Sequence, residues 1–331
     1  MAKKVAISGY YGFNNFGDEA ILHVLTQNLR NKYEVTVFSK NPKETAKQYN
    51  VKSVQTFSLI DIFCTLLTCD TLISGGGSLL QDVTSKKSLI YYLFVLGIAQ
   101  LFRKKTIIFA QGIGPINNKF LEKITKNVLK KCDFISVRDE KSLFLLRAWG
   151  LQPTLVNDPA WGINVPFATK GNAIGVQLRE WNNLSDQFLF DLAEKIVDNY
   201  TTRDVILFAF QNGKDLAVCE KFKKILLSIN PLANVKIIEN KGLTSILREM
   251  QACEIIIAMR FHALLLALKA GLKTIALSYD IKVFNLAQET KTPVVIVNES
   301  DKLAEAFAQA EILTPQKINK HFDFEHFYKN I

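Results

Sequence analysis

Five residues have the types and settings for proton transfer or anion binding: Asp18, Arg138, Arg260, His262 and Lys282. Each lies in a polar segment that follows a short apolar run. Asp18 closes the loop Gly9-Tyr-Tyr-Gly-Phe-Asn-Asn15-Phe-Gly-Asp18-Glu19, and Arg138 opens Arg138-Asp-Glu140. Arg260-Phe-His262 follows Ile256-Ile-Ala-Met, and Lys282 ends Tyr279-Asp-Ile-Lys282. Guanidinium and ammonium groups hold carboxylates and phosphates through charge-assisted hydrogen bonds. An aspartate and a histidine can take and give protons. Together these residues describe a cationic site for an acidic substrate. Gly75-Gly76-Gly77-Ser78 and Gln111-Gly-Ile-Gly-Pro115 add backbone that a ligand could approach, with N–H groups for anionic oxygens.

Each feature also has a plainer reading. Asp18 and Glu19 can cap a helix and favour its dipole. Arg138 can pair at the surface with Asp139 or Glu140. A glycine cluster can be a tight turn, and His262 can be a semi-buried histidine. Arg260 strengthens the functional reading, because on an extended segment its side chain and that of His262 point to one face. The glycines fit neither the dinucleotide nor the Walker pattern, and no Gly-Lys-Ser/Thr occurs. The second strand ends in Ser39-Lys40, which offers no acid to a ribose, so a nicotinamide cofactor is disfavoured. No metal site is expected: there is no Asp-x-Asp, and His321 and His326 lie in an aromatic tail expected to pack back on the protein. Ser78 lacks a nucleophile-elbow setting.

The elements that must position these residues alternate along the chain. Strands are expected over 4–8, 34–38, 71–74, 106–110 and 134–137, and helices over 18–31, 89–102, 120–131 and 140–149. The rhythm restarts after a Pro-, Gly- and Asn-rich loop over 157–172. Strands are expected there over 173–177, 205–209, 235–238, 255–258, 274–277 and 294–297, with helices between them, clearest over 186–200, 243–251 and 262–270. Such alternation implies βαβ crossovers and parallel sheets covered on both faces. Ligands of such sheets bind beyond the carboxyl ends of the strands, where the residues above fall. The 331 residues suit about two domains, expected at 1–165 and 166–331.

Apolar residues make up 48% and charged residues 22%, which excludes disorder as the dominant state. Lys and Arg exceed Asp and Glu by 41 to 31, a net charge of +10, which favours acidic partners. Five cysteines without a Cys-x-x-Cys pair suggest a reducing compartment, so a cytoplasmic protein is expected. The apolar run 89–102 would span roughly 21 Å as a helix, against ~30 Å for a bilayer core. Lys119, Lys123, Lys126 and Lys130 recur at helical spacing beside a stripe of Phe120, Ile124 and Val128. That lysine face is either solvated or a contact to an anionic membrane.

The ordered motifs resemble the polysaccharide pyruvyl transferase family, most closely its CsaB type. They are Gly9-Tyr-Tyr-Gly-Phe-Asn-Asn-Phe-Gly-Asp-Glu-Ala-Ile-Leu22, Ile73-Ser-Gly-Gly-Gly-Ser-Leu-Leu-Gln-Asp82 and Ala110-Gln-Gly-Ile-Gly-Pro115, then Val137-Arg-Asp-Glu140, Arg260-Phe-His-Ala-Leu264 and Ser278-Tyr-Asp-Ile-Lys282. Phe16 and Phe261 stand where leucine is commoner, and neither departure removes a polar group. The resemblance implies a GT-B-like α/β fold, with two Rossmann-type domains of mostly parallel sheet facing across a cleft. The first domain would serve the acceptor and carry any membrane contact, and the second would serve the donor. Phosphoenolpyruvate would be the donor, with no separate cofactor. A lipid-linked oligosaccharide or polysaccharide would be the acceptor, carrying a 4,6-linked ketal on N-acetylmannosamine of a cell-wall polymer that anchors S-layer proteins. Asp18 and His262 would be catalytic. Arg138, Arg260, Lys282, Asn15, Gly75, Gly76, Gly77 and Gln111 would bind substrate. Two other functions stay open: a GT-B glycosyltransferase using a nucleotide sugar, and a non-catalytic scaffold binding anionic glycolipid at a membrane, with no nucleic-acid role.

Overall fold

The computed structural model describes residues 2–331 apart from 167–170, 182, 315–317 and 319, and apart from the side chain of His326. The histidine pair of the tail therefore lies partly outside the described residues. The chain forms two units, Met1–Ile163 with Lys320–Ile331, and Asn164–Asn319.

The first unit holds eight strands: β1 (Lys4–Ser8), β2 (Glu34–Ser39), β3 (Lys52–Gln55), β4 (Thr71–Ser74), β5 (Gly77–Leu80), β6 (Lys105–Ile113), β7 (Phe134–Val137) and β8 (Thr154–Leu155). Their order is β3-β2-β1-β4-β6-β7-β8, with β5 pairing β6. The second unit holds β9 (Ala173–Gln177), β10 (Val205–Ala209), β11 (Val235–Glu239), β12 (Cys253–Ala258), β13 (Lys273–Ser278) and β14 (Val294–Ile296), in the order β11-β10-β9-β12-β13-β14. Neighbouring strands are parallel in both sheets, for example Ile7 beside Ile73 and Ile257 beside Val176. Parallel strands buried on both faces need apolar residues at successive positions, which Val5-Ala6-Ile7 and Ile255-Ile256-Ile257 supply. Each sheet reverses its winding beside its first strand, between β1 and β4 and between β9 and β12. That reversal is where open α/β sheets bind ligands.

Several expectations need correction. Gly77 and Ser78 lie in β5 rather than in a loop, because Gly77 pairs with Gln111 of β6. Gln111 itself lies inside β6, which runs on past residue 110 to Ile113. The tail belongs to the first unit rather than to a second domain of 166–331. Phe322, Phe324 and Phe327 pack around Phe109 of β6, with ring centroids 5.3, 5.8 and 4.3 Å away. Tyr328 Oη donates to the Asn28 carbonyl at 2.8 Å, and Lys3 Nζ donates to the Ile331 carbonyl at 3.2 Å. The physical reason is the outer face of β6: Phe109 needs an apolar cover, and these aromatic residues supply it. The apolar run 89–102 lies within helix Lys86–Leu101, and no helix among the described residues is long and apolar enough to cross a membrane.

Candidate active site

In the first unit, the loop after β1 leads into helix Phe16–Leu29. Asn15 caps that helix, its Oδ1 accepting from Gly17 N–H at 3.2 Å. Capping is thus done by Asn15, which releases Asp18 and Glu19 from that role. Glu19 ties the loop together, accepting from Gly12 N–H at 2.7 Å and from Tyr49 Oη at 2.6 Å. Burial raises its pKa, and those two bonds oppose the rise.

Asp18, half-buried in the first helical turn, extends over Gly77. A Cβ at position 77 would stand 2.7 Å from Asp18 Oδ1. A Cβ at Gly76 would stand 2.7 Å from Ile21, and one at Gly75 would collide with the Tyr11 hydroxyl. The glycine triplet therefore makes room for the protein's own side chains, above all the Asp18 carboxylate. Tyr11 is fully buried, and its hydroxyl has no hydrogen-bond partner among the described residues. Burial first, and then the charge of Asp18, push the phenols of Tyr10, Tyr11 and Tyr92 upward in pKa. All three stay neutral beside the carboxylate.

Gln111 is buried and donates from Nε2 to the Ser74 carbonyl at 2.9 Å and to Ser74 Oγ at 2.8 Å. It fixes the end of β4 and the Gly75–Gly76 link into β5. Arg138 follows β7. Its Nη1 meets Asp158 Oδ2 at 2.5 Å, and its Nη2 donates to Ser78 Oγ at 3.3 Å. Asp158 also accepts from Ala160 N–H at 2.9 Å, so its two oxygens hold both the arginine and the turn Pro159–Gly162. The nearby Asp139 caps helix Glu140–Ala148 instead of pairing with Arg138, accepting from Ser142 N–H at 2.9 Å.

In the second unit, Arg260 occupies the N-cap of helix Phe261–Lys269, its backbone N–H donating to Gln177 Oε1 at 2.7 Å. Its guanidinium grips the fully buried Asp215 through two bonds, Nε to Oδ2 at 2.8 Å and Nη2 to Oδ1 at 2.5 Å. The expectation that Arg260 and His262 share the face of an extended segment fails, because the helix already begins at Phe261. His262 is half-buried in the first turn, edge-on to Phe261 at 5.3 Å. Lys282 lies half-buried in the first turn of helix Ile281–Glu289, which Asp280 caps by accepting from Lys282 N–H at 3.0 Å.

Three residues escape the sequence reading: Asp158, Asp215 and Arg179. Arg179 stands just past the carboxyl end of β9, at the winding reversal of the second sheet. Its Nη1 donates to Tyr279 Oη at 2.6 Å, and its guanidinium lies 4.6 Å from the centre of the Tyr279 ring. Its Nε is buried without an acceptor, and no carboxylate pairs with it among the described residues. The signal was present in Val176-Gln177-Leu178-Arg179, a cation directly after the first strand of the second half. The two carboxylates gave no such signal, since each lies far along the chain from its arginine.

Two parallel Rossmann-type sheets, with polar residues gathered beyond their carboxyl ends, define an α/β protein of GT-B-like fold. Solved structures share it. HepE from Anabaena in complex with UDP-glucose is 13% identical, with a TM-score of 0.66 over 93% of this chain and 90% of that one. UDP-GlcNAc 2-epimerase from Methanocaldococcus jannaschii is 12% identical, with a TM-score of 0.64 over 98% and 95%. The enzyme of that name from Neisseria meningitidis, bound to UDP-GlcNAc, is 12% identical, with a TM-score of 0.60 over 95% of each chain. At such identities the likeness is one of fold. Among curated proteins, none matches this chain. The family is defined by sequence: the chain belongs to the polysaccharide pyruvyl transferases, whose pattern matches residues 15–281. That span includes Asp18, Gly75–77, Gln111, Arg138, Arg260 and His262, and it ends one residue before Lys282.

Proposed function

We propose that this protein transfers the pyruvyl group of phosphoenolpyruvate to a cell-surface glycan or its lipid-linked precursor, forming a ketal as in CsaB-type enzymes. The acceptor in this reading is N-acetylmannosamine of a cell-wall polymer, linked at its 4 and 6 hydroxyls. One observation carries it: a chain of this family has Asp18, Arg138, Arg260, His262 and Lys282 beyond the carboxyl ends of its two sheets.

Ketal formation begins with protonation of the donor's methylene carbon, which leaves an oxocarbenium-like centre at C2. One sugar hydroxyl attacks that carbon, phosphate leaves with its bridging oxygen, and a second hydroxyl closes the ring. Each attacking hydroxyl gives up a proton. Asp18, held above Gly77 and walled by neutral phenols, is assigned to acid–base work. His262 is assigned to proton transfer or to phosphate contact. Arg138 and Arg260 each bring a buried carboxylate with them, so they offer oriented N–H donors rather than net charge. Arg179 and Lys282 are assigned to the donor's phosphate and carboxylate charges.

The deciding experiment supplies the purified protein with phosphoenolpyruvate and a lipid-linked disaccharide containing N-acetylmannosamine. Phosphate release with an acceptor mass gain of one pyruvate ketal is the expected result. HepE was solved with UDP-glucose, so UDP-sugars form the comparison arm. Turnover of a UDP-sugar without phosphate release from phosphoenolpyruvate would overturn the proposal in favour of a glycosyltransferase.

A further inference from the structure

Helix Leu59–Thr68 has the sequence Leu-Ile-Asp-Ile-Phe-Cys-Thr-Leu-Leu-Thr, apolar except for a narrow stripe of Asp61, Thr65 and Thr68. Its inward face buries Ile62 and Leu66. Its outward face leaves Leu59, Ile60, Phe63 and Leu67 in solvent, Ile60 at 76% exposure and Leu67 at 55%. A helix at the surface of a water-soluble domain ordinarily turns a polar face outward. The neighbouring helix Lys86–Leu101 repeats the anomaly with Ile90, Phe94 and Leu101, the last 72% exposed. The two helices meet through the Phe63 ring, 6.4 Å from Phe94 and 6.0 Å from Phe102. Their exposed apolar residues therefore form one surface. Elsewhere, exposed large apolar residues such as Leu232 stand singly in the chain, which is ordinary.

Cations stand around this surface, beside the acids Asp61 and Asp70 of the first helix and its end. Lys86 and Lys87 are exposed at the start of the second helix, Arg103 just past its end. Lys40 lies 5.7 Å from the exposed Phe57 ring. Lys104 reaches back to the Leu67 carbonyl at 2.9 Å. The acids nearby are engaged elsewhere: Asp61 accepts from Gln55 N–H at 3.3 Å, and Asp82 from Asn117 and Asn118 N–H at 2.8 Å each.

We propose that the face formed by helices Leu59–Thr68 and Lys86–Leu101 rests on an anionic lipid bilayer. Its aliphatic and aromatic side chains would enter the headgroup boundary, and Lys86, Lys87 and Arg103 would meet lipid phosphates. Exposed aliphatics and phenylalanines rimmed by cations are the combination that interfacial binding requires, hydrophobic insertion plus attraction to acidic headgroups. A patch of this kind is also too apolar to leave in water without a partner. The lysine helix Lys119–Leu129 packs against helix Lys86–Leu101, where Gln100 donates to the Val128 carbonyl at 2.9 Å, but it buries Leu121, Thr125 and Leu129 and exposes Phe120 alone among large apolar residues. The proposed face stands independently of the reaction proposed above. An aromatic path still links it to the Asp18 loop, from Phe57 to Phe13 at 6.2 Å and from Phe13 to Tyr10 at 4.1 Å.

The test uses the whole protein with phosphatidylcholine vesicles, with and without phosphatidylglycerol, followed by sedimentation. Cys64 is an exposed cysteine on this face, and a polarity-sensitive thiol dye placed there reads insertion in the otherwise unaltered protein. Binding to the anionic vesicles with a blue shift of the dye is expected, weakening at least tenfold between low and high salt. The double variant Ile60→Glu, Leu67→Glu alters only exposed positions and should lose at least tenfold in binding while keeping the parent's melting temperature. Lys123→Glu with Lys126→Glu should stay within about threefold of the parent, since the two residues lie on the other helix. Three results would overturn the proposal: no binding by the parent, binding without a dye shift, or binding lost only in the lysine variant. A parent that dimerises through this face and ignores vesicles would overturn it too, assigning the surface to a second copy of the chain.

Discussion

A methyl group at position 77 would stand 2.7 Å from Asp18 Oδ1, on a residue whose φ is +83°. Gly77→Ala therefore carries two costs, about 1–2 kcal/mol of backbone strain and the displacement of the carboxylate. Turnover should fall at least tenfold with donor affinity nearly unchanged, a split that calorimetry beside a phosphate-release assay resolves. Asp18→Asn keeps the shape and removes a negative charge that would face an anionic donor. Its donor affinity should hold or improve while turnover drops by roughly two to four orders of magnitude. Normal turnover in that variant would reduce Asp18 to a structural residue. Donor binding is better probed at Arg179 and Lys282 than at Arg138, because Arg138→Ala breaks a buried ion pair with Asp158 and costs about 3–5 kcal/mol by that alone. Arg179→Ala and Lys282→Ala should each weaken phosphoenolpyruvate binding about tenfold or more, as expected for a lost charge-assisted contact. The chemical types at this site could be read from the sequence, but their partners could not. Arg138 meets a carboxylate 20 residues on and Arg260 one 45 residues back, pairings that only the sheets bring about. Glycines 75 to 77 look alike in sequence, yet each is required by a different side chain pressing on it.

Elements were legible where burial on both faces forces an unbroken apolar run. Lys4–Ser8, Thr71–Ser74, Ala173–Gln177 and Val205–Ala209 lie where the sequence puts them. Edge strand Lys52–Gln55 was not, since its Lys-Ser-Val-Gln sequence has one apolar residue and needs none at the margin of a sheet. Helix Leu59–Thr68 was hidden for the opposite reason: in ten residues only Asp61, Thr65 and Thr68 are polar, and so short an apolar run cannot be told from a buried strand by periodicity. The loop between β6 and helix Lys119–Leu129 shows how one carboxylate can hold two elements. Asp82 accepts from the Asn117 and Asn118 N–H groups, and those bonds hold its carboxyl below the usual aspartate range. The folded state then binds this proton more weakly than the unfolded state does. Its stabilising contribution is full above the unfolded value near ~4 and disappears as pH falls through the lower folded value. Asp82→Asn should accordingly melt below the parent at pH 7, with a smaller gap at pH 3, below the unfolded value, where the advantage of the lowered carboxyl is being lost. A gap of the same size at both pH values would mean that the charge of Asp82 does not hold the loop.

At the scale of the molecule, the restart of the strand–helix rhythm after residue 165 marked the two units closely, whereas the destination of the tail was invisible. Phe327 packs on Phe109, a residue more than two hundred positions earlier, and no local spacing encodes that contact. The consequence is that the first unit is completed by residues that follow the whole of the second. Phe327 is buried to 1% exposure, its ring edge-on to Phe109 at 4.3 Å and to Phe134 at 5.6 Å. Replacing it with alanine opens a cavity between the tail and two neighbouring strands, at a cost of about 3–5 kcal/mol. That loss should fall on one unit. Hydrogen exchange of Phe327→Ala is expected to quicken in peptides covering β1, β6 and β7, and to leave β9, β12 and β13 at the parent's rates. Exchange that quickens equally in both sheets would mean that the units open together, and the tail would then stabilise the molecule as one cooperative body. If the change stays in the first sheet, chain order and folding unit are separate here: residues that follow the second unit must be made before the first unit is complete.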